Sequence, residues 1–210
     1  MTSEYDRLPE MVSTTPFDVS AFVTSCTSHL VLDVGCGYGR LLDQFVPLGM
    51  CAVGLDLSMI QLKRCNAVHV GSLVNASATA LPFADQVFGG ALALGSIDSL
   101  TRLSELSTAF SEIARVMESS APFWINFYTV NTDANFQQRY GQHDPTSPRV
   151  FRTRRGLTVR HWQVTEVNRQ LVDNGFEVLA ADSHRFLTMN RGRDVAGIQI
   201  KAARKARSPL

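Results

Sequence analysis

Short apolar runs of strand length recur at residues 30–34, 51–55, 74–76, 88–94, 122–128, 176–181 and 196–202. Between them the apolar positions change to a helical rhythm. Leu41, Leu42, Phe45 and Val46 fall on one helical face. Leu103, Leu106, Phe110, Ile113 and Met117 step by three and four, which predicts an amphipathic helix. Val164, Val167 and Leu171 mark another, with Gly175 placed to cap its end. Ser58-Met-Ile-Gln61 has the form of a capping box and predicts a helix running to about Ala67. The fourth run, 88–94, is rich in glycine and apolar throughout, as a strand covered on both faces would be. Strands alternating with helices predict an α/β fold, a mostly parallel sheet with helices on both faces. Residues 1–210 read as a single domain.

The first strand run breaks into glycine. Residues 31–40 read Val-Leu-Asp-Val-Gly-Cys-Gly-Tyr-Gly-Arg, so Asp33 is followed by Gly35, Gly37 and Gly39. Alternate glycines remove the side chains that would keep a ligand from the backbone, and they permit positive φ. The dinucleotide frame G-x-G-x-x-G does not fit, because its third glycine would fall on Arg40 or on Leu42.

Composition then narrows the class. A chain of 210 residues, 45% hydrophobic and with a formal net charge of +1, can build one sizeable core. It has no global attraction to nucleic acid or anionic membrane. The longest smooth apolar run, residues 87–95, falls far short of the roughly 20 residues of a membrane-spanning helix. Glu4, Asp6, Arg7 and Glu10 precede any apolar stretch, unlike a secretory signal. Cys26, Cys36, Cys51 and Cys65 lack C-x-x-C pairing and read as reduced small hydrophobes in core elements, not as metal ligands. A cytoplasmic protein with no membrane insertion and no metal is expected.

Four segments in order carry a family resemblance. The first is Asp33-x-Gly35-x-Gly37-x-Gly39. The second is Val53-Gly-Leu-Asp56-Leu-Ser58, with an acid ending the second strand. The third is Ala78-Thr-Ala-Leu-Pro-Phe83, and the fourth is Phe110-Ser-Glu-Ile-Ala-Arg-Val-Met117. Together they resemble class I S-adenosylmethionine-dependent methyltransferases of the small-molecule type, the group that includes ubiquinone and menaquinone biosynthesis methyltransferases. The resemblance covers about residues 30–117 and continues by element order beyond. It implies a Rossmann-like, seven-stranded, mostly parallel sheet and S-adenosyl-L-methionine as cofactor.

The resemblance also implies roles. The Gly35 carbonyl and Asp33 serve the methionine end of the cofactor, while Gly37 and Gly39 keep the loop open. Asp56, an acceptor when ionised, takes both ribose hydroxyls; its alternative is a turn residue capping the next helix. Leu57 lies against the adenine. Ser77 stands where the family often has an acid for the adenine amino group, or is a simple loop residue, and Ala78 offers its N–H to the ring. Gly95 opens the end of the fourth strand toward the methyl group. Phe88-Gly89-Gly90 and Ser119-Ser120-Ala121 depart from the family's Phe-Asp and Pro-Gly-Gly, and neither removes a cofactor contact.

Methyl transfer gains much of its rate from holding nucleophile, carbon and sulfur in line in a dry pocket. The base it needs depends on the nucleophile. Asp98 is the first candidate for an acid or base facing the acceptor, with a helix N-cap as its alternative. His143 is the second, or an exposed loop histidine. Both lie near or in a long insertion, residues 129–161, which reads as a substrate cap. From Arg139 to Arg160, six arginines (Arg139, Arg149, Arg152, Arg154, Arg155 and Arg160) stand against one acid, Asp144. Tyr128, Tyr140, Arg152, Arg154 and His161 are the expected substrate-lining residues, with arginine clamping a carboxylate or phosphate. The alternative is a solvated surface or a dimer contact, in a monomer or a homodimer.

The leading functional reading is methyl transfer to an oxygen, nitrogen or carbon of a small molecule. An RNA or protein methyltransferase using the arginines is the second. Nucleic acid is disfavoured, because the chain lacks an Asn/Asp-Pro-Pro-Tyr/Phe segment, a Pro-Cys nucleophile and an appended RNA-binding module. A non-catalytic cofactor-binding module is the third.

Overall fold

The computed structural model describes residues 17–65, 72–130, 134–153, 156–188 and 193–206. In chain order its strands are β1 (Leu30–Val34), β2 (Cys51–Asp56), β3 (Leu73–Asn75), β4 (Gly90–Leu94), β5 (Pro122–Tyr128), β6 (Val150–Arg152), β7 (Thr158–Arg160), β8 (Phe176–Thr188) and β9 (Arg193–Arg204). The helices are α1 (Val19–Ser25), α2 (Leu42–Phe45), α3 (Met59–Leu62), α4 (Leu103–Val116), α5 (Ala134–Gln137) and α6 (Val164–Asp173). Seven strands form one sheet in the order β3-β2-β1-β4-β5-β9-β8, and β6 pairs with β7 apart from it. From β3 to β5 every pairing is parallel, while β9 runs antiparallel to both β5 and β8. The chain therefore reverses direction between β1 and β4, where open α/β sheets bind ligands at their C-terminal edge.

The helices cover both faces. On one, Phe22 of α1 and Phe45 of α2 pack with Val31, Leu92 and Trp124. On the other, Leu106, Phe110 and Ile113 of α4 join Val167 and Leu171 of α6 against Phe123, Ile125 and Phe127. These are the positions that step by three and four in the sequence, and each fully buried side chain contributes about 1.5–3 kcal/mol.

Several local expectations shift. The helix expected to bury Val46 stops at Phe45 and tightens into a 3-10 turn over Val46–Leu48, with Pro47 at its start and Gly49 capping it at φ +72°. Proline cannot donate to an α-helical ladder, and Val46 is left 55% exposed. The helix after Ser58 is described only to Leu62, so Ala67 lies outside the described residues. The fourth strand begins at Gly90, with Phe88 making only a bridge to Met117. The cysteines are not uniformly core: Cys36 is buried, Cys26 and Cys65 are half-buried, and Cys51 is exposed on β2.

The described residues between Thr129 and His161 build a small separate layer. The β6–β7 hairpin and α5 enclose Phe151, Leu157 and Val159, with Phe136 and Tyr140 against them. It is anchored to the main sheet by Trp162, which bridges Thr129, donates from its backbone to the Tyr128 carbonyl and from its indole N–H to the Ile97 carbonyl. Arg160 donates to the Thr101 carbonyl at 3.1 Å and stacks on Trp162. No helix of the described residues is long and apolar enough to cross a membrane.

Candidate active site

The glycine loop turns sharply at the end of β1. Both the Gly35 and Cys36 N–H groups donate to the Leu55 carbonyl, at 2.7 and 3.0 Å. Gly35, at φ +78°, lies so close to Ser96 that an added Cβ would sit 2.3 Å from the serine Cβ. Gly37 and Gly95 also hold positive φ, but a Cβ on either would meet nothing within 4 Å. Gly39 differs: it is buried, and the Cys65 sulfur lies 3.0 Å from where its Cβ would be. That glycine serves packing against the residues after α3.

Asp56 makes the turn after β2, and Ser58 supplies the cap that follows. One carboxylate oxygen accepts from the Gly37 N–H at 2.9 Å, the other from the Ser58 N–H at 2.7 Å. Ser58 in turn accepts from the Gln61 N–H, capping α3. A carboxylate has about four lone-pair sites, so each oxygen can still accept a ligand hydroxyl. Leu57, next along, is 63% exposed. The Asn75 amide holds that turn by donating to the carbonyls of Asp56 and Leu57. Ser77 uses its hydroxyl locally, sharing a hydrogen bond with the Thr79 hydroxyl and accepting the Thr79 N–H. Ala78 is half-buried beside it.

Asp33 is only 3% exposed, and among the described residues none hydrogen-bonds its carboxyl. Burial pushes it up to about 7; Arg40 pulls it down and Asp56 pushes it up further. The Leu81-Pro82-Phe83 segment is fixed from outside. Glu112 of α4 accepts from the Leu81 N–H, and Arg115 donates to the Leu81 and Phe83 carbonyls while pairing with Glu112 and Asp85. The third and fourth sequence segments are thus two halves of one clamp.

Asp98 lies in a 3-10 turn, 97–99, directly after β4 and is 3% exposed. One oxygen accepts the Tyr128 N–H at 3.0 Å; the other has no partner among the described residues. Burial raises its pKa well above the usual carboxylate range, against the Tyr128 N–H bond that lowers it. Burial thus disfavours its charged form. Tyr128 ends β5, and burial with the Asp98 charge lifts its phenol to about 12.

The other expected acceptor residues belong to the cap itself. His161 is buried among Phe136, Tyr140 and Phe151 and shares a 2.7 Å hydrogen bond with the Tyr140 hydroxyl. Burial, helped by Arg139, pushes it down to about 4, so it is neutral. His143 is exposed in a shallow depression with Arg139, Gln142, Phe151 and Arg152. No contact among the described residues brings His143 to Asp98. Arg152 is exposed and donates to the Gly156 carbonyl. Arg149 and Arg160 both pair with Glu166. Arg154 lies outside the described residues. Arg149 and Arg160 are thus engaged with Glu166, while Arg139 and Arg152 line the depression around His143.

Comparison with known proteins identifies the class. Residues 32–125 match a family model described as a methyltransferase domain. An O-methyltransferase, resE, from Aspergillus sclerotiorum is 36% identical over 109 residues, 48% of this chain and 40% of that protein. The chain thus spans about two fifths of that relative. A S-adenosylmethionine-dependent methyltransferase from Methanosarcina mazei superposes with a TM-score of 0.79 at 19% identity, over 91% of this chain and all of that one. The 1,6-didemethyltoxoflavin-N1-methyltransferase of Burkholderia thailandensis, solved with its substrate and S-adenosylhomocysteine, gives 0.62 at 19% identity, over 84% of this chain and 71% of that one. The fold is that of class I methyltransferases. Within that fold, residues 32–125 match the methyltransferase-domain model, and the O-methyltransferase relative is similar to about half of this chain.

The residues at the strand ends fit this cofactor. A buried, unpartnered Asp33 suits its ammonium, Asp56 its ribose diol and exposed Leu57 its adenine. Gly37 and Gly95 leave the space a side chain would fill. Bound there, the cofactor supplies a sulfonium methyl that an in-line nucleophile can displace.

A pH dependence follows from Asp33. In an unfolded chain its carboxyl titrates near ~3.9, and in the fold near about 7. Between those values the folded state keeps a proton that the unfolded chain has lost. Asp33 therefore subtracts stability as pH rises through that window, and its cost is complete above it. A cation placed against it favours the ionised form. S-adenosylhomocysteine affinity should rise about tenfold per pH unit up to the Asp33 pKa and then level off. Asp33→Asn should flatten the profile in titration calorimetry. A parent profile that is already flat from pH 5.5 to 8 would place the ammonium elsewhere.

Proposed function

We propose that this chain transfers the methyl group of S-adenosylmethionine to a small-molecule acceptor, with oxygen as the favoured nucleophile. The observation that carries it is the set of groups at the C-terminal ends of β1 and β2: unpartnered Asp33, open Gly37 and doubly accepting Asp56. The O-methyltransferase relative supports oxygen, although its match spans only part of that protein. Residues 129–161 act as a cap over the acceptor end of the sheet. The chain works in the cytoplasm as a monomer or a homodimer and does not act on nucleic acid. That last point is supported by Arg149 and Arg160, which are neutralised by Glu166 instead of being presented to phosphates.

Methyl-labelled cofactor, incubated with the chain and a panel of phenols, carboxylic acids and amines, should give a labelled methyl ether. Label appearing only in added RNA or protein would favour the second reading. Cofactor binding without transfer to any acceptor would favour the third.

A further inference from the structure

We propose that Asn126 and Gln199 form a neutral amide dyad that recognises an uncharged acceptor bearing a hydroxyl beside a carbonyl. The proposal rests on the methyltransferase reading and names the chemistry of its acceptor end. Register fixes where the dyad lies. Asp33, Leu92, Trp124 and Lys201 are aligned across β1, β4, β5 and β9. Leu94, Asn126 and Gln199 form the next row toward the C-terminal edge, on the same face. The cofactor residues occupy the β1–β2 side of that edge, so this row lies where an acceptor must approach.

The two amides are anomalous there. Asn126 is 1% exposed and Gln199 6%, yet both polar atoms of Asn126 and the Gln199 nitrogen have no hydrogen-bond partner among the described residues. Buried amides are costly unless paired, and the neighbouring positions of the rows, Leu92, Leu94 and Trp124, are apolar. The unpartnered set offers amide donors for a carbonyl and one amide oxygen for a hydroxyl. Two further unpartnered atoms, the Ser96 hydroxyl and the second Asp98 oxygen, lie just beyond β4.

The surroundings select a neutral ligand. Lys201, on this face, is seated over the Trp124 ring at 4.5 Å. Arg149 and Arg160 pair with Glu166, and Arg152 is turned to the Gly156 carbonyl. Trp124 and Tyr128 flank Asn126 on its own face of β5, which suits a flat ring.

The test uses the full chain saturated with S-adenosylhomocysteine, with 2-hydroxyacetophenone as neutral probe and salicylate as its anionic counterpart. Binding is read by tryptophan emission, to which Trp124 contributes. The neutral probe should bind at least about tenfold more tightly than salicylate. Asn126→Leu and Gln199→Met should each weaken it by about tenfold or more while S-adenosylhomocysteine affinity and melting temperature hold or rise. Tighter binding of salicylate, unchanged binding by both variants, or no quenching by the neutral probe at millimolar concentration would overturn the dyad. Failure of the parent to bind S-adenosylhomocysteine would instead remove the methyltransferase reading on which it stands.

Discussion

Gly35→Ala is expected to destabilise the fold severely, whereas Gly37→Ala, two residues on, should fold well and bind its ligand more weakly. The contrast comes from what a methyl group would meet. At Gly35 it would lie 2.3 Å from the Ser96 Cβ, with backbone φ at +78°. Positive φ costs an L-residue about 1–2 kcal/mol, and overpacking a rigid site adds about 1–3 kcal/mol. Together these consume about 2–5 kcal/mol of a domain stability that is itself only about 5–15 kcal/mol. Ser96 cannot easily retreat, because its carbonyl holds the Ser99 N–H and hydroxyl in the 97–99 turn that carries Asp98. At Gly37 the φ is +57° and the space is empty to 4 Å, so only the conformational term remains. Its melting temperature should fall by a few degrees and its affinity for S-adenosylhomocysteine by about tenfold or more. Circular dichroism melts and titration calorimetry on the two variants check both halves. A Gly35→Ala protein melting close to the parent would mean that the loop does not pack on Ser96.

The sequence made some of this legible and hid the rest for physical reasons. Apolar periodicity marked α4 and α6 because each buries one stripe, and the order of the elements matched the seven strands of the main sheet, but not the β6–β7 hairpin. The glycine spacing marked the loop, but it could not say that Gly35 faces Ser96 while Gly39 makes room for Cys65, since both partners are distant in sequence. Gly89 was taken into the fourth strand as an apolar position; it is a glycine because residue 28 passes against it, 2.2 Å from where a Cβ would lie. Glu112 and Arg115 stand in the fourth segment without a role that the sequence assigns. Only the fold brings them to the Leu81-Pro82-Phe83 segment. Arg149 and Arg160 read as part of a cationic clamp because Glu166, their partner, lies beyond the insertion on α6. Asn126 sat in plain view inside Pro-Phe-Trp-Ile-Asn-Phe-Tyr, yet one strand cannot reveal that its register neighbour is another unpaired amide.

Asp56→Ala is expected to weaken S-adenosylhomocysteine binding about a hundredfold. Two losses combine. A ribose diol would lose a charged acceptor, worth about 1.5–3 kcal/mol. The loop would also lose its brace, because the Gly37 and Ser58 N–H groups both donate to this carboxylate; each such bond is worth about 1 kcal/mol. The diol contribution, near ~3 kcal/mol at its upper end, corresponds by itself to about a hundredfold in affinity. The brace is also part of stability, so the melting temperature should fall as well. Asp56→Asn separates the two parts. One oxygen remains to accept, but an amide NH₂ now faces one of the two N–H donors, so affinity and stability should lie between those of the parent and Asp56→Ala. The decisive comparison is affinity measured well below the melting point of each variant. If Asp56→Ala melts earlier yet binds like the parent, the residue is only the turn and loop brace, and the ribose must be held elsewhere. If affinity falls in both variants in the stated order, Asp56 joins the glycine loop to the ligand, and the strand-end acid and the alternating glycines act as one device.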